Sequence, residues 1–353
     1  MERKPSAIFS ISSLGLGHAT RTLAVIRSYE ASHDIHVVSW GSALGLLKSE
    51  LLGATFHELV DYPPLERGRG IAFYFHIVVD SLVTIARIWR EHRFIRDMAR
   101  ELRPDFIISD GRYGSYARGV PSFLISHQIS FVMPRGLGVF QGLADFFNRK
   151  AFGKFEGVII PDYESEADSL AGELSHHRML DGLRHEYVGV LSSYSRSSVP
   201  KDIDTLFVIS GYLLEHRAAF VDWLIGEAKR MPGRKVFVGS NGHPDADGLF
   251  SRHGIDMRGT VSGQERAELF ARAARVVSRS GYTTVMDLAE LGIPGFLVPT
   301  PGQTEQEHLA RHLIERGFIQ ESIASDPRMP SPPWLTATSV AKVRAFVSGS
   351  LID

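Results

Sequence analysis

The sequence predicts an α/β protein made of two doubly wound domains, each a parallel sheet covered by helices. Short apolar runs alternate with helical patterns along most of the chain, as they do in βαβ units. A serine-rich segment, 191–204, interrupts this alternation and has the composition of a linker. The length of 353 residues is also more than one hydrophobic core usually accommodates. We therefore expect an N-terminal domain over 1–195, a second domain over 196–335 and a final segment over 336–353.

The composition narrows the classes of function. With 39 Lys and Arg residues against 40 Asp and Glu residues, no excess of positive charge indicates a nucleic-acid partner. The absence of cysteine excludes disulfides, zinc-cysteine sites and thiol catalysis. The first six residues are polar and do not form a signal peptide, and no apolar run approaches the ~20 residues of a membrane-spanning helix. We therefore expect a cytoplasmic protein.

In the first domain, an apolar strand over 7–13 leads into the loop Gly15-Leu16-Gly17-His18 and then into a helix over 19–29. Ligands of doubly wound proteins bind at the carboxyl ends of the strands, so this loop is a predicted binding site. Thr20 replaces the third glycine of the dinucleotide fingerprint, which argues against a nicotinamide cofactor. Further strands are predicted at 35–39, 54–60, 105–110, 121–126, 157–161 and 186–190.

Two of these later strands end in side chains that can transfer a proton. Asp110 closes one strand, and His127 follows the next. Because the carboxyl ends of parallel strands meet at one edge of a sheet, we expect both residues to face the same cleft as His18. A histidine titrates near pH ~6.5, which suits a general base. His18 is our first candidate for the catalytic base, with Asp110 and His127 as rivals, and a helix-capping or packing role is the alternative for His18.

Two helical segments of the first domain combine aromatic and basic residues. They cover 71–102 and 131–155. Amphipathic helices of this composition can lie on an anionic membrane. The alternative for both is an ordinary helix that packs its apolar stripe against the domain core.

The second domain repeats the alternation of strands and helices. Strands are predicted at 205–210, 235–239, 255–258, 275–278 and 295–298, with helices at 214–230, 264–273, 283–291 and 305–316. The strand over 275–278 leads through Ser280 and Gly281 directly into a helix. A helix start offers free N–H groups and a positive dipole end, so small residues there suit a phosphate group. Thr283 and Thr284 can donate to that anion, or they can simply cap the helix.

Residues 277–310 resemble the donor-sugar site of the GT-B glycosyltransferases. The resemblance is closest to the family of the peptidoglycan N-acetylglucosaminyltransferase that makes lipid II, in which a Gln-rich loop follows the next strand, as 299–306 does here. It implies that Ser280 and Gly281 hold the nucleotide diphosphate and that Asp287 holds the ribose. The sugar is then held by Gln303, Glu305 and Gln306.

The resemblance extends beyond this segment. It implies that Ser210 and Gly211 approach the donor phosphates and that the loop containing Val261 holds the base of the nucleotide. It also implies that the last helix, in 336–353, crosses back to the first domain. The loop with Gly15, Gly17 and His18 resembles the acceptor-facing element of the same enzymes, although it carries fewer glycines. The basic aromatic surface is then placed near the membrane or a lipid-linked acceptor.

We expect neither a metal nor a cofactor. Asp-x-Asp occurs at 202–204 and 245–247, but both are typical of turns, where aspartate bonds to its own backbone. The sequence therefore predicts a metal-independent, inverting glycosyltransferase that moves a sugar from a nucleotide-sugar, with UDP as the nucleotide, to an acceptor hydroxyl. The acceptor is either soluble or lipid-linked, and in the second case the protein contacts the inner face of the membrane. The alternatives are a nucleotide-sugar hydrolase or 2-epimerase of the same fold, and a non-catalytic nucleotide-sugar-binding protein.

Overall fold

The computed structural model describes residues 4–63, 71–130, 141–209, 217–239, 253–259, 261, 263–323 and 340–351, with 71–79 and 217 as backbone only. The chain divides into two compact units, Met1–Ser193 with Thr338–Asp353, and Tyr194–Ala337. Each unit contains one parallel sheet with helices, so the predicted α/β fold class is confirmed.

The sheet of the first unit has seven strands in the order β3-β2-β1-β4-β5-β6-β7, and all neighbours are parallel. The strands are β1 (Ser6–Ile11), β2 (Asp34–Ser39), β3 (Thr55–Glu58), β4 (Phe106–Asp110), β5 (Ser122–Ile125), β6 (Gly157–Ile160) and β7 (His185–Tyr187). The strand order reverses between β1 and β4, which are hydrogen-bonded neighbours with Ile11 opposite Asp110. Such a switch point is where doubly wound proteins bind ligands.

Four helices of the first unit lie between its strands in chain order: α1 (Gly17–Arg27), α2 (Gly41–Glu50), α3 (Ile71–Leu102) and α4 (Gln141–Phe152). The strands β1, β4, β5 and β6 are buried along their whole length, which explains why each is a mainly apolar stretch of the sequence. The described part of α3 packs Ile95 and Met98 against Ile8 and Ile107 of the sheet. No helix among the described residues is long and apolar enough to cross a membrane.

The sheet of the second unit has five parallel strands in the order β10-β9-β8-β11-β12. The elements are β8 (Thr205–Val208), α5 (Arg217–Arg230), β9 (Lys235–Val238), β10 (Ile255–Arg258), α6 (Gly263–Arg272), β11 (Val276–Arg279), α7 (Tyr282–Leu291), β12 (Gly295–Val298) and α8 (Thr304–Glu315). Phe207 stacks on Phe237 at 4.3 Å between ring centres, and Leu224 and Val277 complete the buried cluster around them. The strand order reverses between β8 and β11, so this sheet has its own switch point.

The last helix, α9 (Val340–Gly349), packs on the first unit. Arg344 donates to the carbonyl oxygen of Ser28 at 2.8 Å. The ring of Phe346 lies so close to Gly157 that a Cβ there would be 2.7 Å away, and the Arg184 guanidinium lies 4.4 Å from the centre of the same ring. The chain thus returns to its first sheet at its end.

The segment between β6 and β7 is an ordered loop that the sequence analysis did not identify. It contains two short 3-10 turns, Gly172–Leu174 and Arg178–Leu180. The fully buried carboxylate of Asp162 accepts hydrogen bonds from the hydroxyls of Ser169 and Ser175, both at 2.6 Å, and from the amide of Leu170 at 2.8 Å. One buried acid therefore organises a polar loop that has no hydrophobic periodicity.

Candidate functional site

The loop after β1 is held in place by a buried acid. Asp61, just beyond β3, accepts a hydrogen bond from the Ser12 hydroxyl at 2.9 Å and another from the amide of Ser13. Ser12 in turn accepts from the amide of Leu14 at 3.2 Å. Gly15 has a φ of 84°, in the left-handed region that favours glycine. Asp61 was not identified in the sequence analysis, and it fixes the loop that carries the predicted acceptor residues Gly15 and Gly17.

His18, in the first turn of α1, pairs with Asp110 at the end of β4. Their Nδ1 and Oδ1 atoms are 2.8 Å apart. The Asp110 side chain is fully buried, whereas the His18 side chain is 24% exposed. Since an ionised carboxylate can only accept, Nδ1 carries the proton in the neutral form of His18, and Nε2 of that form has the lone pair. None of the described residues is hydrogen-bonded to Nε2.

Arg21, one helical turn after His18, makes a forked ion pair with the same carboxylate. Its Nε donates to Oδ2 of Asp110 at 2.7 Å, and its Nη2 donates to Oδ1. The Thr22 hydroxyl donates to Oδ2 at 2.6 Å. Burial alone would raise the pKa of Asp110, but the charges of Arg21 and His18 and their hydrogen bonds hold it well below its usual value. Asp110 is therefore ionised at neutral pH.

The third nitrogen of Arg21 connects His127 to this group. Its Nη1 lies 3.2 Å from Nδ1 of His127, a buried residue after β5. An arginine has no acceptor, so Nδ1 of His127 accepts and the proton of the neutral ring is on Nε2. The structure thus brings His18, Asp110 and His127 together and gives each a different exposure and hydrogen-bonding state.

Gly111 leaves room for the His18 ring. It follows Asp110 with a φ of 72°, and a Cβ built there would lie 2.9 Å from Cε1 of His18. The turn after β4 is supported from below by Glu91 of α3, which accepts from the amide of Gly114 at 3.1 Å and from the Ser115 hydroxyl at 2.5 Å. Burial raises the pKa of Glu91, although the neighbouring Arg112 acts in the opposite direction.

The predicted phosphate site lies at the start of α7 in the second unit. Gly281 is the N-cap residue and has no side chain that could cap this helix. A Cβ at Gly281 would meet no atom within 4 Å, so the space in front of the helix start is open. Thr283 is partly exposed, while Thr284 is buried. The helix begins at Tyr282, one residue earlier than predicted.

Ser280, Gln303 and Gln306 form one network beside that helix start. The fully buried Ser280 hydroxyl donates to the carbonyl oxygen of Gln306 at 2.9 Å. The side chain of Gln306 accepts from the amide of Thr300 at 2.9 Å and donates to Oε1 of Gln303. The structure therefore brings three of the predicted donor residues together, through contacts that also hold the loop after β12.

Three of the other predicted donor residues lie in the described part of the second unit. Asp287 lies on α7 and is 3% exposed, and Glu305 is partly exposed in the first turn of α8. Val261 is partly exposed in the turn after β10. Ser210 and Gly211 lie outside the described residues.

Arg279, the last residue of β11, was missed in the sequence analysis. Its Nη1 donates to the carbonyl oxygen of Pro299 at 2.8 Å, and its guanidinium stacks on the Phe220 ring at 3.6 Å from the centre. Burial lowers the pKa of Arg279 to about 10. Its position directly before Ser280 was the signal that could have identified it as a support for the loop after β12.

Within the described part of the chain, no group of three or more histidine or acidic side chains could hold a metal ion. Asp202 pairs with Arg234 at 2.5 Å and with Arg272, and Asp204 accepts from the amide of Arg234 at 2.7 Å. These two acids therefore bind neighbouring residues of the fold. The second Asp-x-Asp segment, 245–247, lies outside the described residues.

Comparison with known proteins agrees with this architecture. The model of the glycosyltransferase family 28 C-terminal domain matches residues 247–318. An uncharacterized glycosyltransferase of Methanosarcina acetivorans is 25% identical over 325 residues, which cover 86% of this chain and 80% of the relative. The UDP-N-acetylglucosamine–N-acetylmuramyl-(pentapeptide) pyrophosphoryl-undecaprenol N-acetylglucosamine transferase of Acetivibrio thermocellus is 25% identical over 249 residues, covering 68% of this chain and 65% of the relative.

Solved structures show the same fold. MurG of Acinetobacter baumannii superimposes with a TM-score of 0.55 at 14% identity, covering 98% of this chain and 100% of that one. UGT2 of Phytolacca americana, complexed with UDP-2fluoro-glucose and pterostilbene, gives a TM-score of 0.58 at 14% identity, covering 99% and 94%. From its two parallel sheets, its match to the family 28 C-terminal domain over 247–318 and these relatives, the chain is a glycosyltransferase of the GT-B fold that resembles the lipid II-forming N-acetylglucosaminyltransferase family.

Proposed function

We propose that this protein transfers a sugar from a nucleotide-sugar, with UDP as the nucleotide, to an acceptor hydroxyl, and that His18 is the catalytic base. The observation that carries the proposal is the His18–Asp110 pair at the switch point of the first sheet. A general base needs an unprotonated, accessible nitrogen and a partner that stabilises its protonated form. His18 has Nε2 for the first purpose and the buried Asp110 carboxylate for the second.

In the proposed reaction, Nε2 of His18 takes the proton of the acceptor hydroxyl. The acceptor oxygen attacks the anomeric carbon as the bond from that carbon to the diphosphate oxygen breaks, and the diphosphate leaves with the bonding electron pair. A single displacement of this kind inverts the anomeric configuration. Asp110 stays ionised and stabilises the imidazolium of His18. Asp110 itself is fully buried, so it orients the base and does not touch the acceptor.

The donor is assigned to the second unit. The N–H groups and the dipole at the start of α7, whose N-cap residue is a glycine, suit the negative charge that develops on the diphosphate. This electrostatic support makes a divalent ion unnecessary in the proposed reaction. Asp287 is proposed for the ribose, and Glu305, with Gln303 and Gln306, for the sugar. UDP is favoured because the A. thermocellus relative is named for a UDP-sugar and the P. americana structure contains one.

The proposed division of labour follows the two sheets. We assign 1–195 to the acceptor, 196–335 to the nucleotide-sugar, and 336–353 to the helix that returns to the first unit. The acceptor is proposed to be lipid-linked, because the first unit exposes apolar side chains beside basic ones. On α3, Leu82, Ile85 and Trp89 are at least 63% exposed, and Trp89 stacks with Arg93. On α4, Phe146 and Phe147 are 53% and 62% exposed, and Lys150 lies over the Phe146 ring.

The first experiment identifies the donor and then tests the base. A thermal-shift screen of nucleotide diphosphates and nucleotide-sugars finds the ligand that stabilises the folded state. With that donor, His18→Ala is expected to lower turnover by ~10²-fold or more while the donor dissociation constant stays unchanged. His33→Ala is the control, because His33 lies directly before β2, at the amino ends of the strands, whereas His18 lies at their carboxyl ends. Full turnover in His18→Ala would exclude His18 as the base.

Product analysis separates the alternatives of the same fold. A new glycoside identifies a transferase reaction, and inversion at its anomeric carbon is read from the proton coupling constant. Free sugar as the main product identifies a hydrolase, and an altered sugar on the nucleotide identifies a 2-epimerase. A ligand that binds and is recovered unchanged with every acceptor identifies a non-catalytic binding protein.

A further inference from the structure

Arg21 is a buried cation at the centre of the proposed catalytic site, and the proposed reaction gives it no direct part. The residue is 2% exposed, so it does not offer its guanidinium to a substrate. Its Nε and Nη2 both donate to the carboxylate of Asp110, and its Nη1 donates to Nδ1 of His127. The Arg21 side chain therefore contacts Asp110 and His127 directly, and it is connected to His18 through the carboxylate of Asp110.

Nδ1 of His18 also lies 3.0 Å from Nη2 of Arg21. This nitrogen cannot accept from Arg21 while it donates to Asp110, and the ionised carboxylate can only accept. We therefore interpret the approach of Arg21 to His18 as a contact between two donors that share one carboxylate oxygen of Asp110. The positive charge of Arg21 lies directly beside the proposed base.

A charge in this position controls how readily the pair of His18 and Asp110 takes up a proton. When two ionisable groups interact strongly, their proton uptake belongs to the pair and not to either residue alone. An additional proton stops the proposed reaction in either position: on His18 it occupies Nε2, and on Asp110 it removes the anion that stabilises the imidazolium. A buried carboxylate without a cation tends to take up such a proton, and a neighbouring cation opposes it.

We propose that Arg21 is a positioning residue that keeps the His18–Asp110 pair in its proton-accepting form and fixes His127 as a hydrogen-bond donor. This inference rests on the proposed role of His18 as the base. The pair is formed by His18 from α1 and Asp110 from β4, and the charged group that faces it is Arg21 from α1. His127, from the loop after β5, contacts Arg21. Asp61 holds the adjacent loop through Ser12 and Ser13.

The two functions of Arg21 are separated by a matched pair of variants. Arg21→Gln removes the charge, so the acidic limb of the kcat/KM profile is expected to move to higher pH by ~1–3 units. Arg21→Lys keeps the charge but loses the forked pair of hydrogen bonds to Asp110. The acidic limb of its kcat/KM profile therefore stays near that of the wild type, while kcat falls. The donor KM is unchanged in both. Lower rates with an unmoved limb in Arg21→Gln would reduce Arg21 to a structural residue and overturn the inference.

A measurement without substrate makes the test independent of the proposed function. In protein labelled at histidine, the ring resonances of His18 are assigned by their loss in His18→Ala and are followed against pH. The titration midpoint is expected to rise in Arg21→Gln and to stay in place in Arg21→Lys. Identical midpoints in both variants and the wild type would overturn the inference. If the midpoint moves but His18→Ala retains turnover, the base assignment fails and the control by Arg21 stands.

Arg21→Gln leaves the buried Asp110 without its cation and can prevent folding. In that case Arg21→Lys decides, through the ring nitrogens of His127. Their chemical shifts are expected to report a proton on Nε2 in the wild type and a mixture of both tautomers in Arg21→Lys, because a lysine placed on Asp110 no longer reaches Nδ1. An unchanged tautomer of His127 in Arg21→Lys would overturn the inference.

Discussion

Substituting Gly111 by alanine is expected to displace the His18 ring and to lower turnover without weakening donor binding. The new Cβ would lie 2.9 Å from Cε1 of His18, 3.2 Å from its Nδ1 and 3.1 Å from Cβ of Ser12. Ordinary contact begins at 3.4 Å, so the ring has to retreat by roughly 0.5 Å in a closely packed site. Because an error of ~1 Å in a catalytic group can cost ~10²-fold, we expect turnover to fall by ~10-fold or more.

Gly119→Ala is the matched control for this experiment. Gly119 has a φ of 79°, close to the 72° of Gly111, but a Cβ there would meet no atom within 4 Å. Both alanines therefore bear a similar left-handed strain of ~1–2 kcal/mol, which lowers Tm in both variants. Only Gly111→Ala places a methyl group against the proposed base.

The assay is UDP release at saturating donor and acceptor, together with calorimetric binding of the donor alone. Gly111→Ala is expected to bind the donor normally and to turn over slowly, whereas Gly119→Ala does both normally. Wild-type turnover in Gly111→Ala would refute the argument that the position of His18 matters. An equal loss of turnover in both variants would attribute the effect to backbone strain.

Four further predictions concern the donor, the membrane and pH. UDP binding should be unchanged by a chelator; loss of binding that manganese restores would contradict metal independence. Asp287→Asn should weaken UDP binding by ~1.5–3 kcal/mol in calorimetry, whereas the control Glu290→Gln on the same helix should not. Equal UDP affinities of Asp287→Asn and the wild type would remove Asp287 from the ribose site. Replacing Phe146 and Phe147 by serine should reduce co-sedimentation with anionic liposomes at low salt. The control is Leu52→Ser, which should not reduce it although Leu52 is 95% exposed. No binding of the wild type to the liposomes would favour a soluble acceptor. The folded-state pKa of Asp110 is depressed, so the stability that this carboxylate contributes is complete above the usual aspartate pKa of ~3.9 and is lost as the pH falls toward the folded-state pKa. The free energy of unfolding of Asp110→Asn, measured with denaturant, should therefore depend less on pH below ~4 than that of the wild type. An identical pH dependence would count against this ion pair.

Much of the fold could be predicted because buried parallel strands are apolar on both faces and leave short, uninterrupted runs in the sequence. The strands β10 and β12 have the predicted bounds, and α3 begins and ends at the predicted residues. The ends of other elements differ from the predicted ones by one to three residues, as at α7, where Gly281 is the N-cap and Tyr282 the first helical residue. The loop around Asp162 was missed because its order comes from hydrogen bonds to one carboxylate.

The candidate site could be predicted only in part. His18 and Asp110 were identified because each follows or ends an apolar run, but their contact depends on the pairing of β1 with β4, and the two residues are 92 positions apart. Arg21 was missed because a single arginine in a helix is usually exposed. Its spacing of three residues from His18, which places both on one face of α1, was the signal available. Asp61 offered no comparable signal, since it reaches the loop from beyond an edge strand.

The resemblance assigned Ser280 and Gln306 to the donor as direct ligands, and the structure gives both of them a second function. The Ser280 hydroxyl donates to the backbone of Gln306, and the Gln306 amide bonds to Thr300 on one side and Gln303 on the other. Groups already engaged in this way offer a ligand less hydrogen-bonding capacity than free side chains do. At the start of α7, Gly281 presents no side chain, and a Cβ there would meet no atom within 4 Å. We therefore propose that the diphosphate is recognised chiefly by the backbone at this helix start, and that Ser280, Gln303 and Gln306 support it by fixing the loop after β12.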